Sequence, residues 1–111
     1  MASAVKFEAF SEHLAEGVHN LDTGLIKILL SNDAPSAAAD AVKADLTSEL
    51  STANGYTAGG MTLDTVTLSE ASGTAKVTIA DEVLTASGGS IGPFRYVAIY
   101  NDTATSPADA L

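Results

Sequence analysis

The sequence predicts an α+β domain: a β-rich, sandwich-like body with an N-terminal amphipathic helix and one short inserted helix. Three observations lead there. Apolar residues recur at helical spacing near the start of the chain. From Met61 onward the period changes to two. No period of roughly 20 to 50 residues repeats and no linker interrupts the chain, so its 111 residues are read as one domain, 1–111. With 46% hydrophobic and 17% charged residues, the composition is that of a chain that buries a core. The helix is placed at about residues 4–19 and the β-rich body at about 23–103.

Residues 4–19, AVKFEAFSEHLAEGVH, put Phe7, Phe10, Leu14 and Val18 on one helical face, with Glu8, Glu12 and Glu16 recurring on another. This predicts an amphipathic helix with Gly17 near its end, packed on its own core and free at a chain end to dock on a neighbour. Residues 23–32, TGLIKILLSN, form an apolar run broken only by Lys27, which suits a central strand. Pro35 and the preceding Asn32-Asp33 then stop it. Residues 36–50 hold good helix formers behind a possible Ser36 cap, so a short helix is expected with a thin stripe of Ala38, Val42 and Leu46. Residues 51–60 read as a glycine loop.

Val66 and Leu68 alternate with threonines, as do Ala75, Val77 and Ile79 with Lys76 and Thr78. Gly73 lies between the two runs, so they form a hairpin. A short strand is expected at EVLTAS. In the following PFRYVAIYND, both alternating sets are largely apolar, which predicts a second central strand with Phe94, Tyr96 and Val97 buried. Pro93 marks its entrance.

Chemistry-bearing patterns are scarce. The net charge is -9 and the five basic residues are scattered, whereas nucleic-acid binding needs clustered positive charge. Nucleic acid and anionic lipid are not expected partners. No long apolar run predicts a membrane span, and the opening residues lack the apolar core of a signal peptide. The absence of cysteine excludes disulfides and thiolate chemistry. His13 and His19, six apart, do not share a helical face well, so no metal or cofactor is expected and both imidazoles read as surface or partly buried groups. Ser90 in GGSIG lacks the strand–turn–helix setting of a nucleophile elbow. The glycine loops lack the lysine of a phosphate loop. Asp81 and Glu82, with Asp64 or Asp102, are a weak alternative as a cation site; solvated turn charges are the plainer reading. The chain is therefore not expected to be an enzyme.

Three stretches, HNLDTGLIKILLSNDAP (19–35), ANGYTAGG (53–60) and TASGGSIGPFRYVAIYNDTAT (85–105), resemble a family of small structural proteins from tailed bacteriophages. The resemblance spans about residues 5–105 in order, and its last stretch is the most specific. Ala53 stands where the family usually has glycine. The resemblance implies a non-enzymatic virion component, assembled in the bacterial host cytoplasm, whose partners are the coat protein and copies of itself.

The favoured reading is a capsid decoration (cement) protein that bridges and stabilises coat subunits. A tail or head–tail connector component is the alternative, and a host-surface carbohydrate-binding module a further one. Phe7 and Phe10 on the helix, and Tyr56 at the tip of the 51–60 loop, are the candidate interface residues, Tyr56 being expected to be exposed.

Overall fold

The structure, a computed structural model, describes residues 4–111. The chain forms helix α1 (Glu8–Ala15), strands β1 (Ile26–Ser31), β2 (Met61–Thr62), β3 (Thr67–Ala71), β4 (Thr74–Thr78), β5 (Tyr96–Thr105) and β6 (Ala108–Ala110), and a single 3-10 turn at Lys43–Asp45. The domain is mostly β-structure with one helix, as its alternating sequence predicts.

Four strands make one antiparallel sheet in the order β2-β1-β5-β6. Both strands expected to be central are central. In register, Leu29 opposes Ala98 and Lys27 opposes Tyr100 on one face; Ile28 opposes Ile99 and Leu30 opposes Val97 on the other. The first face carries the core: Leu29, Ala98 and Tyr100 pack with Leu46 and Leu111, and Phe7 leans on the cluster from the N-terminal side. Leu29 is wholly inaccessible.

The second face differs from expectation. Phe94, Tyr96 and Val97, predicted as core, are 42%, 37% and 48% exposed, and Ile99 is 46% exposed; Phe94 precedes β5, and Tyr96 lies at its first residue on the core face, opposite Ser31. Val97 and Ile99, on the second face, lack a covering layer because the β3–β4 hairpin does not lie over this sheet. It forms a separate two-stranded sheet whose residues are all exposed, so no sandwich closes. The domain is accordingly elongated, 46 × 31 × 29 Å.

No α-helix forms over residues 36–50; the 3-10 turn at Lys43–Asp45 is the helical element described there. Asp40 accepts the Ser36 amide at 2.7 Å, and Asp45 accepts the amides of Ala41 and Val42 at 2.9 and 3.1 Å. Short carboxylates that capture nearby N–H groups compete with helical bonding, and the alanine-rich stripe offers little burial to offset them. The segment is instead a strap. Val42 bridges Ala110, the last residue of β6, and residues 48–50 pair with the end of β1 through the Asn32 and Leu50 amides. The expected EVLTAS strand is also absent; those residues form an extended loop. The strand β6 was not anticipated, since SPADAL lacks alternation and contains a proline.

Helix α1 is shorter than the 4–19 span expected. It ends at Ala15, and Gly17, with φ 80°, reverses the chain in a backbone region that favours glycine. Gly60 is a second position where only glycine fits: at φ 80°, a Cβ there would lie 2.0 Å from the Ile28 carbonyl oxygen. The loop backbone can thus lie directly against β1.

Candidate interaction surface

Two of the three aromatic residues singled out in the sequence lie where a partner could reach them. Phe7 and Phe10 are half-buried on α1 and its approach. Together with Val5, Lys6, Val97 and Ile99 they border a groove of about 430 Å³ along β5. Phe10 also borders a second, larger cleft of about 620 Å³ between α1 and the hairpin, faced by Leu14, Leu21, Leu68 and Val77. Because Leu68 opposes Val77 in the hairpin register, these two side chains share one face of the ribbon. Ile79 follows just beyond the end of β4. Leu14, Leu68, Val77 and Ile79 are each between 39% and 45% exposed. An apolar surface therefore runs from β5, past Phe10, to the hairpin. Contiguous exposed patches of this kind mark interaction sites on folded domains.

The exposure expected for Tyr56 is corrected: the residue is 2% exposed. A tight turn at residues 54–55 explains it. The amides and carbonyls of Ala53 and Tyr56 bond to each other at 2.9 and 3.0 Å, folding the ring back onto the sheet. There the Tyr56 hydroxyl accepts the Leu30 amide at 3.2 Å and donates to Glu49 Oε1 at 3.0 Å. Glu49 also accepts the Gly59 amide and pairs with Lys43 at 3.1 Å. Burial alone would push the Glu49 carboxyl up, but the Gly59 amide, Lys43 and Tyr56 together outweigh it and hold the group below the usual carboxylate range. Burial, followed by the effect of nearby carboxylates led by Asp102, raises the Tyr100 hydroxyl well above its ordinary value, and this hydroxyl donates to the Gly59 carbonyl at 2.6 Å. The tyrosines thus stitch the glycine loop to the sheet from inside.

The two loops that carry the sequence resemblance are bound to each other. The Asn54 side-chain amide donates to the Ser90 carbonyl at 2.9 Å, and the Ser87 amide donates to the Asn54 carbonyl at 2.8 Å. Their glycines serve close packing: a Cβ on Gly55 would meet the Thr85 carbonyl oxygen at 2.5 Å, and one on Gly89 would meet the Asn54 side chain at 2.9 Å.

His13 and His19 come together, contrary to the spacing argument, which assumed a helix through residue 19. The reversal at Gly17 stacks His19 on Phe10, ring centroids 4.9 Å apart, and sets it edge-on to His13 at 5.7 Å. Both imidazoles are 8% exposed. Among the described residues no three histidines, aspartates or glutamates are grouped as metal ligands. Of the acidic residues weighed as a cation site, Glu82 accepts the Asp64 amide, which brings these two together, while Asp102 is paired with Lys27 at 3.3 Å. No helix among the described residues is long and apolar enough to cross a membrane.

Comparison with protein-family models, with curated proteins and with solved structures gives no match.

Proposed function

We propose that this chain is a non-enzymatic structural protein of a tailed-phage virion, acting as a capsid decoration protein that bridges coat subunits. The observation that carries the reading is the exposed apolar surface formed by Val97, Ile99, Phe10, Leu68 and Val77 on a domain of net charge -9. Like charge keeps free copies apart in solution, while the apolar surface supplies contact area once a complementary shell is present. The resemblance of residues 19–35, 53–60 and 85–105 to phage structural proteins gives the reading its context. Modest affinity at each site suffices, because bridging several subunits raises occupancy through effective concentration.

The same surface serves a tail or connector ring equally well, and the discriminating experiment is physical. A protein that binds only the assembled shell lowers its free energy by about 2.7 kcal/mol per site at a hundredfold excess over Kd. Particles depleted of this protein are expected to release DNA at a lower temperature than complete ones, with the difference restored by adding the purified chain back. Equal release temperatures would remove the cement reading and leave the tail reading in its place.

A further inference from the structure

The contact that holds the two histidines against β5 is built in a way that depends on the His19 ring being neutral. The Asn101 side-chain amide is fixed in orientation: its Oδ1 accepts the Thr103 amide at 3.0 Å, and its Nδ2 donates to the Val18 carbonyl at 3.2 Å. The same Nδ2 faces His19 Nδ1 at 3.3 Å. With Nδ2 a donor, His19 Nδ1 must be an acceptor, which requires the neutral ring with its proton on Nε2. Among the described residues, buried His19 Nε2 has no hydrogen-bond partner, and neither does buried His13 Nδ1. Protonating His19 sets an N–H against an N–H at Asn101. A charge on His19 is buried with no ion pair to offset it among the described residues.

The surrounding charges do not relieve this. On α1, Glu12 and Glu16 are exposed, and neither is ion-paired with a ring among the described residues. On β5, Asp102 is held by Lys27 of β1. On the hairpin, Glu70 accepts the Gly73 amide, and Lys76 alternates to the face opposite Val77. On the α1-to-β1 turn, Asp22 is exposed, and Asp109 of β6 is half-buried; neither is paired with a ring. One feature favours a charged His19 ring: the backbone of Leu111 near it. Burial outweighs this. Followed by the Leu111 effect and then by repulsion from His13, it leaves the His19 imidazole more acidic than usual.

We propose that His19 and Asn101, with His13 packed edge-on against His19, form an acid-labile latch, which clasps α1 and the turn after it to β5 while His19 is neutral and releases them when His19 is protonated. The sign follows from the geometry. A group that binds its proton less readily folded than unfolded contributes stability that is complete above its unfolded pKa, about 6.5, and is lost as pH falls toward the folded value. Release frees Phe10, which stacks on His19, so acidification changes the groove along β5 without unfolding the sheet.

The test uses the intact chain. Imidazole proton resonances followed from about pH 8 to about pH 5 should show His19 titrating below about 6.5, the free-histidine value. Over the same range, hydrogen-exchange protection factors of α1 amides should fall by about tenfold for each unit of that depression, while the β1–β5 ladder keeps its protection. Asn101→Asp places an acceptor opposite His19 Nδ1, so it should raise the His19 titration point and blunt the acid loss of protection. A His19 resonance titrating at or above about 6.5 in the unmodified chain, or α1 protection independent of pH, overturns the latch. So does zinc protecting α1 at neutral pH through the same two rings, which would make the pair a metal site.

Discussion

At the scale of single residues, the hydroxyl of Tyr56 ties three segments. It accepts the Leu30 amide of β1 and donates to Glu49 of the strap, which in turn receives the Gly59 amide of the glycine loop. The Leu30 amide lies beyond the two-residue reach of β2, so no ladder bond is available to it on that side. Tyr56→Phe removes the acceptor and leaves a buried N–H unpaired while keeping the ring in place. The expected cost is about 1–3 kcal/mol, the penalty for an unsatisfied buried donor. Urea unfolding measures it: the midpoint should fall with the slope unchanged, and an unmoved midpoint would show that water replaces the hydroxyl. That Tyr56 is internal was not legible from its place in a glycine loop. A two-residue turn sends its flanking side chains back toward the sheet, and only the position of β1 beneath the turn decides which way they point.

At the scale of elements, legibility follows how much each segment's own side chains decide. β1, the β3–β4 hairpin and β5 could be read because periods of one sort or another run through them, and their registers agree with those periods. Residues 36–50 could not be, because Asp40 and Asp45 turn locally on to backbone amides and the final shape is set by the edges of β1 and β6. The apolar second face of β5 was misread as core because a strand's sequence does not say whether its cover comes from its own chain or from another. The hairpin poses the same question more sharply. A two-stranded ribbon is marginal in water unless something packs on it, and here every residue of β3 and β4 is exposed. Replacing Leu68 and Val77 together with threonine keeps the β-propensity and removes the apolar face. Because these side chains cover little of the chain's own core, the free domain should keep its stability to within about 0.5 kcal/mol, yet the variant should fail to join particles. Wild-type incorporation of the double variant would exclude the hairpin from the assembly contact. A large loss of stability would mean that it packs on its own domain in solution.

For the molecule as a whole, charge imbalance is the global destabilising influence, and it makes a prediction that runs against the usual effect of salt on ion-paired proteins. Fourteen acidic residues face five basic ones, and the described residues form two ion pairs, Lys27–Asp102 and Lys43–Glu49, both at least partly accessible. Pairs of that kind contribute about 0–1 kcal/mol each, so screening them costs little, while screening the general repulsion favours the compact state. Raising sodium chloride from about 0.02 to about 0.5 M at neutral pH should therefore stabilise the domain by about 0.5–1 kcal/mol, a rise of a few degrees in Tm for a chain of this size. The gain should shrink as pH approaches the isoelectric value of about 4.2, where repulsion disappears. Stability itself should not rise there. Asp33 is held below its ordinary range by the Thr47 amide and hydroxyl, Asp45 by the Ala41 and Val42 amides, and Glu49 by its three partners. Carboxyls depressed in the folded state contribute stability that is complete above their unfolded values near 4, and lose it as pH falls through the folded ones. Thermal melts on a grid of salt and pH separate the two effects. A Tm lowered by salt at neutral pH, or a salt gain that persists undiminished at the isoelectric point, would show that specific ion pairs or ion exclusion, rather than net repulsion, govern the stability of this fold.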